Sequence, residues 1–176
     1  MSGLVVLKLG GRVAADAVRD ALARIGGPAV VVHGAGPQIT DEMTRRGIEP
    51  VFVRGRRVTT PEVLEVVRAS FEAVNREVCA AIGPAAQSLR GEEIGLRARR
   101  VPALGLVGEP EPCAPAAIRE SLEAGRVPVV SPLADEAEAA LDAGAFEGGI
   151  VPKLVAAVRA ARGGVQATIG ATEVPA

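Results

Sequence analysis

Aromatic residues are nearly missing from this chain: it has no tryptophan or tyrosine and only three phenylalanines among 176 residues. Proteins that bind single-stranded nucleic acid stack the bases on aromatic side chains, and binding to a phosphate backbone usually needs an excess of basic residues. The formal net charge of this chain is −1. Its composition therefore argues against nucleic acid as a partner.

Long apolar runs are missing as well. No stretch approaches the roughly 20 residues of a membrane-spanning helix, and Met1–Leu9 has a strand-like pattern rather than the layout of a signal peptide. Of the two cysteines, Cys79 falls in a helical apolar pattern and Cys113 in a proline-flanked loop, which indicates one core thiol and one incidental thiol. We expect a cytoplasmic protein with no membrane partner.

Lysine is scarce. Only Lys8 and Lys153 are found among the 20 basic residues, and both lie beside glycine pairs. A lysine presents a compact charge with three rotatable donors, whereas an arginine is a planar fork, so a site that follows a moving phosphoryl group does not exchange them freely. We take both lysines as candidate catalytic residues. The alternative is chance survival of two surface lysines in an arginine-rich chain.

Short apolar runs alternate with helical periodicity in the first part of the chain. Leu4–Leu9 and Ala29–His33 are nearly continuous apolar runs that end in glycines, which is typical of strands buried on both faces. A helical pattern follows each run. The alternation predicts parallel strands joined by crossover helices, and residues 1–176 fit a single α/β domain.

The next segments predict a hairpin and a long helix. The hairpin spans Val51–Val58, with its turn at Arg54 and Gly55, and the helix runs from Pro61 to about Ile82 after a capping box at Thr59–Glu62. The predicted buried stripe of the helix consists of apolar residues three and four apart: Leu64, Val67, Phe71, Val74 and Val78.

The rest of the chain is predicted to continue in the same α/β manner. Two β-like pieces lie between Gln87 and Gly108. The later elements expected in chain order are a helix over Ala116–Ala124, a strand over Val127–Val130, an acidic helix over Asp135–Asp142, a helix over Val151–Arg162, and a strand over Val165–Ile169 before a frayed tail.

Glycines follow each of the first two predicted strands. Gly10 and Gly11 follow the first, and Gly34, Ala35 and Gly36 follow the second. A strand–glycine–helix connection presents backbone N–H groups and the positive helix end to an anion. Ligands of parallel sheets bind at the carboxyl ends of the strands, so both loops and the first lysine are expected to face one crevice. The alternative for the second loop is a tight connection without a ligand.

Further charged residues extend this predicted crevice. Lys153 lies near the start of a predicted helix, after Gly148 and Gly149, and can add a second cation, an arrangement typical of phosphoryl transfer rather than hydrolysis. Arg57, on the hairpin, can bind a carboxylate with its two-pronged guanidinium, or it is one more solvated arginine. His33, the only histidine, is predicted to be a packed or loop-anchoring residue.

Six segments carry a resemblance to a known family. The segments LKLGG, VVHGAGPQI, FVRGRRVTTPEVLEVV, LGLVGE, GRVPVVSPLA and GGIVPKL occur in the order and context of the N-acetylglutamate kinases of the amino acid kinase family. The resemblance implies a three-layer αβα fold with a mainly parallel sheet. It also implies phosphorylation of the side-chain carboxylate of N-acetyl-L-glutamate by ATP with Mg²⁺, in arginine biosynthesis, by a homo-oligomer.

The resemblance implies roles for the candidate residues. By position, Lys8 resembles the lysine that stabilises the transferring phosphoryl group, and Lys153 resembles its companion on the nucleotide side. The residues implied for substrate binding are Gly34, Ala35, which replaces the family's usual middle glycine, and Arg57, which matches the arginine for the α-carboxylate. The glycines implied for phosphate and nucleotide binding are Gly10, Gly11, Gly34, Gly36, Gly148 and Gly149.

One block of the family pattern has no counterpart in this chain. Where the family carries an N-x-N-A-D motif and the elements of the ATP site, the segment DEAEAALDAGAFEGGIVPKL follows Ala134 directly. We therefore divide the domain into a substrate-binding half, residues 1–134, and a remnant of the nucleotide-binding half, residues 135–176. Three interpretations stay open: an abbreviated kinase, an N-acetylglutamate-binding or regulatory relative that lost the ATP site, and a purely structural subunit that uses the long helix from Pro61 to about Ile82.

Overall fold

The computed structural model describes residues 3–10, 15–136, 166–169 and 172–174. The helices are α1 (Ala15–Ile25), α2 (Gly36–Arg45), α3 (Pro61–Ile82) and α4 (Ala116–Glu123). The strands are β1 (Val5–Leu9), β2 (Ala29–His33), β3 (Phe52–Val53), β4 (Arg56–Arg57), β5 (Ala86–Arg90), β6 (Arg97–Arg100), β7 (Gly108–Pro110), β8 (Val127–Ser131), β9 (Asp135–Glu136), β10 (Gln166–Ile169) and β11 (Thr172–Val174).

The main sheet has six strands in the order β11-β10-β1-β2-β8-β5. Neighbouring strands from β10 to β5 run parallel, and β11 pairs antiparallel with β10. The apolar runs of β1, β2 and β8 supply the middle of this sheet, as expected for strands covered on both faces. The predicted mainly parallel α/β fold is confirmed.

Successive residues of the central strands face two different buried clusters. Val31 and Val129 pack with residues of α1, α2 and α3, whereas Val30 and Val130 pack with residues of α4 and of the short helical turn at Glu92–Ile94. Because side chains alternate across a strand, each cluster covers one face of the sheet. The three-layer arrangement follows directly from this alternation.

The start of α3 differs from the predicted capping box. The residue that caps the helix is Thr60, whose side chain accepts a hydrogen bond from the Val63 N–H at 3.2 Å. Thr59 is buried, and its backbone bonds to Leu104 and Leu106 at 2.9 and 2.7 Å. The prediction of a capping box at Thr59 was therefore wrong, because tertiary pairing holds that residue outside the helix.

The buried face of α3 also differs from the predicted stripe. The buried residues are Val63, Val66, Ser70, Val74, Asn75, Val78 and Ala81, whereas Leu64, Val67 and Phe71 are only half-buried. The apolar positions fit two adjacent rows of the helix surface equally well. Packing against the sheet selected the row that starts at Val63, and it left the other row to line a cavity.

Two expectations near the C-terminal end were wrong. Asp135–Glu136 forms β9, parallel to β6, instead of beginning a helix, and Thr172–Val174 forms β11 where a frayed tail was expected. Backbone pairing with a neighbouring strand determines the conformation of both segments. Such pairing cannot be predicted from the local sequence preference. The remainder of the predicted acidic helix and the helix over Val151–Arg162 lie outside the described residues.

The predicted hairpin is confirmed. Strands β3 and β4 pair antiparallel, and both turn residues, Arg54 and Gly55, have positive φ, at 48° and 74°. Positive φ at both central positions matches the right-handed twist of a two-residue hairpin. None of the described helices is both long and apolar enough to cross a membrane.

A glycine in the loop between β6 and β7, Gly105, is expected to resist substitution. Gly105 has φ 73° and ψ −121°, and a Cβ there would clash with the Thr59 carbonyl oxygen. Gly95 has the same φ but ψ 22°, in the left-handed helical region, and a Cβ there would have no atom of the described residues within 4 Å. Gly95→Ala is therefore a matched control for the effect of positive φ alone.

We expect Gly95→Ala to lower the free energy of unfolding by about 1 kcal/mol and Gly105→Ala to lower it by about 3 kcal/mol or more. Urea unfolding followed by circular dichroism measures both losses. Equal losses in the two variants would contradict the close approach of Thr59 to Gly105.

Candidate functional site

Lys8 and the glycine loops lie at the carboxyl edge of two neighbouring strands. Lys8 pairs with Val32 and Leu9 with His33 in the parallel register of β1 and β2, and the Gly34 N–H donates to the Leu9 carbonyl at 3.0 Å. The side chain of Lys8 is exposed. Strand alternation places it on the same face as Val32, the face that α4 covers. Gly10 follows at this edge, and no described residue comes within 4 Å of the position that a Cβ would take there.

The loop at Gly34–Gly36 leads directly into α2. None of the described side chains caps this helix, so the positive end of its dipole is suited to an anion. Ala35 is 1% exposed, and its methyl group packs in the cluster beneath α2. The substitution of alanine for the family's usual glycine therefore fills the core and does not crowd the open side of the loop.

Arg57 connects the hairpin to the first turns of α2. Its Nη2 donates to Thr40 Oγ1 at 2.8 Å and to the Gly36 carbonyl at 3.3 Å, and its Nη1 lies 3.1 Å from the Met43 sulfur. The guanidinium stacks over the Phe52 ring, 4.6 Å from the centroid. Partial burial lowers the pKa of Arg57, but an arginine stays protonated in proteins. A positive charge is thus held beside Gly36.

A buried polar network lies directly below the loop. Asn75 Nδ2 is 3.1 Å from His33 Nε2 and 3.1 Å from the Val129 carbonyl oxygen, and the Cys79 thiol donates to Asn75 Oδ1 at 3.4 Å. Burial lowers the pKa of His33, and the backbone of Gly34 raises it by a smaller amount, so the pKa lies below its ordinary value. Burial also raises the pKa of the Cys79 thiol, which makes it a weak nucleophile.

Sequence reasoning placed His33 correctly as a packed residue, and it predicted Asn75 to be structural or interfacial without identifying a partner for its amide. A signal was present. Asn75 is the only asparagine in the chain, and it follows Phe71 and precedes Cys79 by four residues, so the three share one side of a helix. A single amide among apolar neighbours must have a buried partner.

A cavity of about 420 Å³ opens between α3, strands β6 and β7, and the loop after β8. Its wall is mostly apolar and includes two arginines; the lining residues are Thr59, Leu64, Val67, Arg68, Phe71, Ala98, Arg100, Leu106, Val107, Gly108, Pro132, Leu133 and Ala134. Because β8 lies beside β2 in the sheet, the loop after β8 leaves the same edge as the Gly34 loop. The volume is in the usual range for small-molecule sites.

The structure brings only part of the predicted set together. Lys8, Gly10 and the Gly34–Gly36 loop share the sheet edge, and Arg57 lies against that loop. Four other candidates, Gly11, Gly148, Gly149 and Lys153, lie outside the described residues.

The chain is similar to one family over most of its length. Residues 3–144 match the amino acid kinase family. The acetylglutamate kinase of Clavibacter michiganensis is 48% identical over 126 residues, which cover 64% of this chain and 42% of that protein. That of Thermus thermophilus is 37% identical over 150 residues, which cover 82% of this chain and 60% of that protein. The chain therefore spans about half the length of the curated relatives it matches.

Solved structures share the fold. The structure of smu.665 from Streptococcus mutans has a TM-score of 0.75 at 19% identity, with 94% of each chain covered. An N-acetylglutamate synthase from Neisseria gonorrhoeae, complexed with coenzyme A and N-acetyl-glutamate, has a TM-score of 0.64 at 23% identity and covers 91% of this chain and 39% of its own. With the family match over residues 3–144, these findings show that the chain belongs to the amino acid kinase family and is homologous to acetylglutamate kinases.

Proposed function

We propose that this chain binds N-acetyl-L-glutamate and transfers a phosphoryl group from ATP to its side-chain carboxylate. The observation that carries the proposal is the juxtaposition of Lys8, the Gly34–Gly36 loop and Arg57 at one sheet edge. A glycine loop that shares its sheet edge with Lys8 and contacts Arg57 suits a substrate that carries a carboxylate at each end. Homology to acetylglutamate kinases supports the same substrate.

In the proposed complex, Arg57 binds the α-carboxylate. Its guanidinium is already held by Thr40 and stacked on Phe52, so little side-chain freedom is lost when a carboxylate arrives. The cavity beside Thr59 offers apolar walls from Phe71 and Leu106 for the acetyl group. The acceptor carboxylate would then face the Gly34–Gly36 loop.

The proposed transfer needs no general base, because a carboxyl group with a pKa of about 4.3 is ionised near neutral pH. A carboxylate oxygen bonds to the γ-phosphorus as the bond to the β-phosphate oxygen breaks, and ADP leaves with that electron pair. Lys8 neutralises charge on the transferring group, and the N–H groups of Ala35 and Gly36 orient it, since the N–H of Gly34 is bonded to Leu9.

The described residues fit the phosphates of ATP better than they fit its metal ion. Lys8, Gly10 and the Gly34–Gly36 loop offer a cation and backbone groups to phosphate oxygens. Among residues 3–10, 15–136 and the two short C-terminal strands, no group of three or more His, Cys, Asp or Glu side chains is placed to hold a metal. Bound Mg²⁺ would supply further charge neutralisation, with the ATP phosphates among its ligands.

A second candidate function is a binding or regulatory role without turnover. The observation that favours it is that no N-x-N-A-D motif follows the strand at Val127–Ser131, where the family carries it. The kinase proposal includes a cytoplasmic location. It also includes a homo-oligomer, dimer or larger, because a second copy can contribute residues to the nucleotide site. Light scattering of the purified chain tests that part.

The substrate arginine is tested by ligand-induced stabilisation. We expect N-acetyl-L-glutamate to raise the melting temperature, since a ligand at 100 times its Kd adds about 2.7 kcal/mol to the free energy of unfolding. Arg57→Ala should weaken binding about 10- to 100-fold, through loss of a charge-assisted contact.

The control for that experiment is Arg24→Ala, which removes an exposed arginine from the last turn of α1. Calorimetric titration of both variants gives the Kd. An unchanged Kd in Arg57→Ala would refute the carboxylate assignment, and no melting shift in the wild-type chain at millimolar ligand would refute both candidate functions.

Turnover is tested by trapping the acyl phosphate. With ATP, Mg²⁺ and N-acetyl-L-glutamate, hydroxylamine should capture the product as a hydroxamate, and Lys8→Arg should reduce its rate at least about 100-fold because the planar guanidinium cannot follow the transferring group. Lys8→Arg should keep its affinity for N-acetyl-L-glutamate. Wild-type protein that binds this ligand and yields no hydroxamate would leave only the second function.

A further inference from the structure

The hydrogen bonds of Asn75 join three parts of the fold beneath the proposed site. From α3, the amide reaches His33 at the end of β2 and the Val129 carbonyl in β8. All three groups are inside the core: Asn75 is 6% exposed, His33 2% and Val129 0%. Polar contacts at such depth are strong and sensitive to the loss of one partner.

The surroundings of Asn75 determine which way its amide faces. A carbonyl oxygen only accepts hydrogen bonds, so the group 3.1 Å from the Val129 oxygen must be the amide nitrogen. On the other side, the Cys79 thiol donates to Oδ1. The two contacts agree, and they direct the second N–H of the amide towards His33 Nε2.

The direction of that N–H determines where the proton of His33 resides. A ring nitrogen that faces a donor must itself accept, so Nε2 is unprotonated and the neutral ring carries its hydrogen on Nδ1. Burial also favours the neutral ring, since it lowers the pKa of His33. Nδ1 is buried and makes no well-directed hydrogen bond with the described residues. Gly34, the first residue of the Gly34–Gly36 loop, follows His33 directly in the sequence.

We propose that Asn75 is a positioning residue, which holds His33 as the neutral Nδ1–H tautomer and ties β2 to β8, so that the Gly34–Gly36 loop keeps its anion-binding shape. The proposal deepens the proposed function and rests on it for the identity of the anion. Asn75 acts through His33 and touches no reacting atom.

The tautomer can be read directly from the wild-type protein. His33 is the only histidine, so a ¹⁵N–¹H spectrum of the imidazole region at pH 7.5 reports this ring alone. We expect a protonated Nδ1 and an unprotonated Nε2. A spectrum with the hydrogen on Nε2 would overturn the proposal, and this measurement needs no variant to fold.

Two substitutions test the role of the amide. Asn75→Asp replaces the donor that faces His33 by an acceptor and should move the ring hydrogen to Nε2. Asn75→Ala removes the donor, so both tautomers should become populated, and it serves if the aspartate variant does not fold. Val78→Ala, on the same helix and buried, is the control: it removes core methyl groups and lowers stability but should keep the Nδ1–H spectrum.

The consequence for the site is measured by the affinity for N-acetyl-L-glutamate. Asn75→Ala should weaken binding about 2- to 30-fold, the usual range for residues that act through a packed network, and Val78→Ala should leave it unchanged. If wild-type protein binds N-acetyl-L-glutamate and Asn75→Ala binds it equally well, the positioning role fails and the proposed function stands. If wild-type protein does not bind it, the proposed function fails, and the imidazole spectra still decide the tautomer.

Discussion

The hydrogen bond from the Gly34 N–H to the Leu9 carbonyl, 3.0 Å long, is the constraint on which the candidate site depends. It extends the pairing of β1 and β2 by one residue beyond His33, and the segment after β2 then turns into α2. Because this contact aligns the end of β1 with the end of β2, Lys8 and the start of α2 lie at the same edge of the sheet. The carboxyl ends of adjacent parallel strands form a natural ligand site for this reason.

A second constraint holds the hairpin over that edge. The backbone of Thr59 bonds to Leu104 and Leu106, which anchors the end of the hairpin to the region of β6 and β7. Arg57, two residues earlier, pairs with Phe52 across the hairpin, and its guanidinium reaches Gly36 at the start of α2. The same arrangement holds α3 at a distance from β6 and β7, and the half-buried side chains of Leu64 and Phe71 line the resulting cavity.

Much of the fold could be predicted because apolar periodicity and glycine positions act locally. The runs at Leu4–Leu9 and Ala29–His33 and the turn at Arg54 and Gly55 appear in the structure as expected. The face of α3 was less well predicted, because two adjacent rows of that helix are apolar. The network around Asn75 was missed, since its partners lie 42 and 54 residues away in the chain.

The sequence by itself determined the alternation of strands and helices, the glycine loop after β2 and the resemblance that carries the functional hypothesis, because each depends on residues close together in the chain. Only the tertiary structure decided that Arg57 contacts Gly36, that Thr59 pairs with Gly105 instead of capping α3, and that the Asn75 amide contacts His33. Those contacts join segments far apart in sequence. Their geometry is set by how the layers pack, which local preference does not specify.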